Sequence, residues 1–352
     1  MNRSNPLTSH LCIHPIIQAP MAGVSTPELA AAVSNARGLG SLGVGANSVH
    51  QARQMIEQTR ALTSRPFNVN VFCHEPALRN ETQEVAWLEH LRPLFMECGM
   101  VSPTSLDEIY KSFINDNDAF EMLLETRPAV VSFHFGLPPM DWIRALQDVG
   151  IYTLATATNL EEARKIQELG IDAIVAQGIE AGGHRGIFNP DATDEKLSTS
   201  VLVRLLVKNM DVPIIAAGGI MDGHGVKSAL ALGAAAAQLG TAFILCPESA
   251  ANEGYRKNLR SERAAATLLT SALSGRPARG IRNRFIIHTA LATGIMPPAY
   301  PVAYDAAKQL NKAAIKFDNH EFAAHWAGQG AVLARELTAT QLMKELVKEL
   351  SS

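Results

Sequence analysis

The chain predicts an α/β fold, a (β/α)8 barrel of the TIM type with a smaller, mostly helical domain over it. Three observations carry that expectation. Eight short apolar or β-branched runs precede Pro247, and most alternate with helical patterns. Beyond Pro247 the alternation stops, and residues 249–317 read as helices broken by Gly and Pro. The length of 352 residues suits one barrel with additions. The expected division is a barrel over 1–247, its closing helices over 319–352, and a helical covering domain over 248–318.

Strand one, 15–20, is β-branched and ends at Pro20. Ser25-Thr26-Pro27-Glu28 then opens a helix, with a cap candidate, a first-turn proline and an acid near the positive end. Gly38-Leu39-Gly40-Ser41-Leu42-Gly43 matches G-x-G-x-x-G but follows a helix, so it reads as a tight second strand rather than a dinucleotide fingerprint. Strand three, Phe67–Phe72, alternates apolar residues with Asn68 and Asn70. Amphipathic stretches at 82–98 and 106–126 read as a crossover helix plus an insertion. Strand four, 129–133, leads into His134. Strand five, 152–155, is followed by a helix that stops at Gly170. Strand six, 173–177, enters Gln177-Gly178-Ile179-Glu180-Ala181-Gly182-Gly183-His184-Arg185-Gly186. Strand seven, 212–217, ends in Gly218-Gly219, and Asp222 caps the next helix. Strand eight, 235–239, ends in Gly240-Thr241. Helices at 321–326 and 331–350 close the chain.

Composition narrows the function classes. Apolar residues at 47% and charged residues at 18% allow a large core and argue against disorder. A net charge of -3 gives no electrostatic case for nucleic acid or an anionic membrane. Four scattered cysteines suit a reducing cytoplasm, with neither a disulfide framework nor a zinc site, and the histidines show no metal-ligand spacing. Residues 1–14 are polar and read as no signal peptide. The charge-free run 228–247 is long enough to span a membrane. It is mostly Ala and Gly, however, and splits better into a helix end and a strand.

In such a barrel the chemistry lies at the carboxyl ends of the strands. Those ends gather Met21, Ala22, Gly23, Asn70, His134, the Gly182–Gly186 loop, Gly218, Gly219, Gly240 and Thr241. The loops after strands seven and eight are where these barrels bind phosphate, and each carries glycine that bares its N–H groups. Asn70 and Gln177 are amides able to pair with a heterocycle's N–C=O edge. Phosphate plus heterocycle points to a mononucleotide, and FMN fits better than a dinucleotide. A Gly-rich turn with a surface histidine would give the same local pattern at 182–186. His134 either lines the site or packs beside it. Arg185 is structural or a pocket wall, and Ser274 lies in a loop that is no nucleophile elbow.

Together, Asn70, the 177–186 loop, Ala216-Ala217-Gly218-Gly219-Ile220 and Gln238-Leu239-Gly240-Thr241 resemble the nitronate monooxygenases. The resemblance runs from Ile16 to about Lys308 and weakly into 326–330. It implies an FMN enzyme that oxidises alkyl nitronates with O2 to a carbonyl compound and nitrite. It implies that His184 is the active-site histidine, with flavin contacts from Met21, Asn70, Gln177, Gly182, Gly219, Gln238, Gly240 and Thr241. The strand ends and matched motifs add Ala22, Gly23, Gly218 and Leu239 as cofactor-binding candidates. Tyr300, Tyr304 and Lys308, spaced by four, resemble the signature of the class acting on propionate 3-nitronate, and with His134 they are the substrate-binding candidates. An FMN-dependent enoyl-[acyl-carrier-protein] reductase using NAD(P)H shares the barrel and glycine loops and is the alternative. The sequence leaves the oligomeric state open.

Overall fold

A computed structural model describes residues 6–291 and 294–352, so most of 1–14 is described and Met1 to Asn5 lie outside it. The barrel strands are Ile16–Gln18, Gly40–Gly43, Phe67–Phe72, Val130–His134, Tyr152–Ala157, Ala173–Gln177, Ile214–Ala217 and Ala236–Leu239. They form one parallel eight-stranded sheet. Ile17 bridges to Leu39, and the Gln18 N–H donates to the Leu39 carbonyl at 2.9 Å, closing the ring. The eight-stranded expectation therefore holds.

Alternation along the strands sorts the core into two shells. Ile214 and Ala216 face the helix layer, whereas Ile215 and Ala217 face the barrel interior. The interior's lower end is stoppered from outside. Leu7 and Leu11, on the helix Pro6–Leu11, pack with Ile17, Val130, Leu154 and Val175. Burying each of these leucines contributes about 1.5–3 kcal/mol. Midway up, Asn68 Nδ2 donates to Ser41 Oγ at 3.2 Å and Ser132 Oγ at 3.0 Å. Asn70 stands one inward step higher, toward the open end.

The helices start where the caps predict. Thr26 accepts from Leu29 N with Pro27 in the first turn, and Asp222 accepts from Gly225 N. The run 228–247 resolves into the end of helix Gly223–Ala231, the strand Ala236–Leu239 and a short turn of helix. Among the described residues no helix is long and apolar enough to cross a membrane.

Two expectations are corrected. The region 249–317 is not all helical. It contains an antiparallel hairpin, Thr267–Thr270 with Ala278–Ile281, and the second strand pairs with Gly183–His184. The loop expected at 274–280 is therefore half strand. Residues 321–326 form no helix, because their backbone is committed elsewhere. The His325 carbonyl accepts from Ile281 N, and Trp326 bridges to Gly280. The last helix begins only at Ala339, under a Thr338–Gln341 capping box. The insertion helix Glu81–Glu97 shares an apolar cluster (Trp87, Leu91, Phe95) with Phe285, Val302 and Leu310, so it packs with the upper layer.

Candidate active site

One cavity of about 460 Å³ opens at the carboxyl ends of the barrel strands. Of the residues singled out from sequence, Met21, Ala22, Gly23, Asn70, His134, Gln177, Gly182, His184, Gly218, Gly219, Gln238, Gly240, Thr241, Tyr300, Tyr304 and Lys308 line it. Leu239 does not. Its side chain is 1% exposed and faces the helix-layer core, because it points opposite to Gln238 on the same strand.

His184 sits at the centre. Its ring stands edge-on to Trp326, Tyr300 and Phe135 at centroid distances of 5.1, 5.5 and 5.6 Å. Its Nε2 lies 2.9 Å from Ser274 Oγ. Burial, and then the neighbouring His134 and Arg276, lower its pKa to about 3, so the ring is neutral at physiological pH. His134 is held at both nitrogens, with Nδ1 3.1 Å from Thr156 Oγ1 and Nε2 3.3 Å from the His184 carbonyl. Burial takes its pKa to about 4.

The loop glycines serve the chain's own packing more than expected. A Cβ on Gly182 would lie 2.5 Å from Gly328 N, and one on Gly186 would lie 2.5 Å from the Thr156 methyl. Gly183 instead needs its positive φ of 76°. The gap beside Gly182 is thus filled by the crossing segment Ala327–Gly328. Gln177 braces the same loop. Its Nε2 donates to the His184 carbonyl at 3.0 Å, and its Oε1 accepts from Gly186 N at 2.8 Å. Arg185 is buried beneath, paired with Asp194 at 2.9 Å and donating to the Gln177 carbonyl at 2.8 Å, which makes it structural.

Other donors and acceptors remain free. The backbone N–H groups of Gly219, Gly240 and Thr241 find no acceptor among the described residues. Both Asn70 Nδ2 bonds go to Ser132, at 3.0 Å to its carbonyl and 2.9 Å to its hydroxyl, which leaves Oδ1 for a ligand.

Tyr304 and Lys308 lie on the helix Val302–Ala314, and Tyr300 precedes it, two residues before its first turn. Lys308 Nζ sits over the rings of Tyr110 and Tyr304, at 4.8 and 5.3 Å. Trp326 Nε1 donates to the Tyr304 hydroxyl at 3.3 Å. Tyr110, Tyr255 and Trp326 line the cavity without having been singled out. Tyr110 lies in the long insertion, where no motif marks it, and Trp326 lies where the resemblance fades. No Asp or Glu is among the lining residues.

The family model for nitronate monooxygenases matches residues 4–349. The nitronate monooxygenase of Pseudomonas aeruginosa is 56% identical over 337 residues, covering 96% of either chain. That of Paraburkholderia phytofirmans is 56% identical over 336 residues, covering 96% of this chain and 92% of its own. A solved nitroalkane oxidase from Streptomyces ansochromogenes superposes with a TM-score of 0.89 at 38% identity, over 98% of this chain and 97% of that one. FabK from Thermotoga maritima superposes at 0.72 with 29% identity, over 98% and 95%. A chain matched so nearly from end to end belongs to the nitronate monooxygenase family and is an oxidoreductase.

Proposed function

We propose that this protein holds FMN in the barrel mouth and oxidises propionate 3-nitronate with O2 to a carbonyl compound and nitrite. The observation that carries this reading is the character of the cavity wall. It presents Tyr110, Tyr255, Tyr300, Tyr304, Lys308, His134 and His184 and no carboxylate, which suits an anionic ligand. The upper layer, 248–318, acts as the cover over that ligand. The free cysteines suit the cytoplasm, which we take as the compartment.

The residues present fit the cofactor. The unpaired N–H groups of Gly219, Gly240 and Thr241, at the ends of strands seven and eight, suit a phosphate. The free Oδ1 of Asn70 and the Gln238 amide suit the donors and acceptors of a flavin ring. FMN, when bound, supplies the electron acceptor for the nitronate.

The chain's own residues then bind and orient the substrate. Lys308, at the solvent side, pairs with the substrate carboxylate, and the phenols of Tyr300 and Tyr304 donate to its oxygens. Tyr300 lines the cavity, and its buried hydroxyl, without a partner among the described residues, must turn toward the cavity to make this bond. His184 sets the wall against which the nitronate end rests. Phe72, Phe135 and Trp326 exclude water around it.

The test is to purify the protein, identify the bound flavin by absorbance and mass, and supply propionate 3-nitronate. The reading expects FMN, bleaching of its visible absorbance without air, and nitrite release in air. Absence of both bleaching and nitrite sinks it. Rapid bleaching by NAD(P)H in their absence would establish the enoyl reductase alternative.

A further inference from the structure

Ser274 is fully buried in the turn between the two hairpin strands, and it meets His184 across the hairpin. We propose that Ser274 is a positioning residue that fixes His184 in its Nε2–H tautomer, so that Nδ1 is the ring nitrogen offered to the ligand. The proposal rests on the placement of His184 in the substrate site argued above.

The argument is a proton count. Ser274 Oγ lies 2.9 Å from His184 Nε2, 3.1 Å from the Arg276 carbonyl and 3.3 Å from the Arg276 N–H. A hydroxyl has one proton and two lone pairs. The Arg276 carbonyl can only accept, so it takes the hydroxyl proton. The Arg276 N–H can only donate, so it uses one lone pair. The remaining lone pair requires a donor, and Nε2 must carry the ring proton. Turning the hydroxyl toward Nε2 would leave the Arg276 carbonyl without a partner among the described residues. Leaving a buried acceptor unpaired is the costlier arrangement.

The same hairpin holds the histidine's backbone. Ala278 is in register with His184, and Arg185 N donates to the Pro277 carbonyl at 2.8 Å. Backbone and ring are therefore oriented by one element, and Nδ1 makes no hydrogen bond among the described residues. It is also not among the buried unpartnered atoms, so it opens toward the cavity. Arg276, on the same turn, is 3% exposed, stacks over Phe135 at 4.5 Å and forms no ion pair among the described residues. A buried cation so placed opposes a second proton on the ring. Neutral His184 then faces the substrate with a lone pair. It donates no hydrogen bond to a nitronate oxygen, and the substrate's negative charge is left to Lys308 and the tyrosines.

The test is tautomer-resolved two-bond 1H–15N correlation on the 15N-histidine-labelled holoprotein at neutral pH. The His184 signals are assigned by their loss in His184→Asn. The expected result is a protonated, pyrrole-type Nε2 and a bare, pyridine-type Nδ1. In Ser274→Ala the two 15N shifts should converge, reporting mixed tautomers, and kcat should fall on the order of tenfold with a smaller change in KM. A pyridine-type Nε2 in the unaltered protein overturns the proposal, as do unchanged His184 shifts in Ser274→Ala. If that variant fails to fold, the spectrum of the unaltered protein decides alone. A failed nitrite assay would remove the assigned substrate and leave the tautomer reading standing.

Discussion

The carbonyl oxygen of His184 accepts from His134 Nε2 at 3.3 Å and from Gln177 Nε2 at 3.0 Å. The candidate active-site histidine is thus held through its backbone by the ends of strands four and six. His134 is itself oriented by Thr156, from strand five. Replacing His134 by Phe removes that donor without removing the ring's bulk. The expected cost is about 1–3 kcal/mol of stability, read as a lower denaturation midpoint, with a lower kcat for nitrite release. His134→Gln, which keeps a donor, should recover most of both. Equal stability of the Phe variant and the unaltered protein would refute the link.

Acid should unfold this protein early. Burial lowers the pKa of His74, His134 and His325 to about 4 and that of His184 to about 3. The unfolded chain takes up these protons near pH 6.5, whereas the folded chain resists them. Stability is therefore full above about pH 6.5 and declines as pH falls toward 4, by roughly 1.4 kcal/mol per group per pH unit at most. Thermal melts from pH 8 to 4.5 measure this, and a flat midpoint across the range would contradict it.

Lys308 has no carboxylate partner among the described residues, and its ammonium sits over two phenol rings. In Lys308→Met the KM for propionate 3-nitronate should rise about 10- to 100-fold, the loss of one charge-assisted contact. The KM for ethyl nitronate, which lacks the carboxylate, should move by less than about threefold on the same scale. Steady-state kinetics on the two substrates separates them, and equal losses would mean that Lys308 does not read the carboxylate.

Two glycines should respond in opposite ways. A Cβ on Gly182 would overlap Gly328 N at 2.5 Å, so Gly182→Ala should destabilise the fold by about 1–3 kcal/mol. A Cβ on Gly240 meets only Ala19 Cβ at 3.4 Å and Met21 Sδ at 3.7 Å. Gly240→Ala should leave the apoprotein's melting point within about 2 °C, as for a substitution of about ±0.5 kcal/mol. FMN affinity should nevertheless fall, because the methyl enters the space proposed for the phosphate. Flavin titration by fluorescence quenching checks the second half.

Much of this was legible along the chain, because the barrel's information is local. The alternating run Phe67–Phe72 and the continuous apolar run leading to Gln177 marked strands, and the glycines after such runs marked the functional end. The site candidates fell into one cavity for the same reason, since every parallel strand delivers its carboxyl end to one rim. Leu239 failed because a motif match names neighbours without regard to strand facing. The hairpin Thr267–Ile281 was missed because Gly and Pro break its pattern and its stability comes from pairing with Gly183–His184.

By itself, then, the sequence determined the barrel, its rim, the histidine at that rim and the family resemblance. Only the tertiary structure decided how the histidine is held. Ser274, Tyr110 and Trp326 reach His184 and Lys308 from distant parts of the chain, and no spacing records that approach. The loop's glycines changed meaning for the same reason. Gly182 looked like an opening for a ligand, but its missing side chain makes room for Ala327–Gly328. Local pattern fixes which way a residue faces on its own element, whereas what it meets depends on which other element folding brings against it.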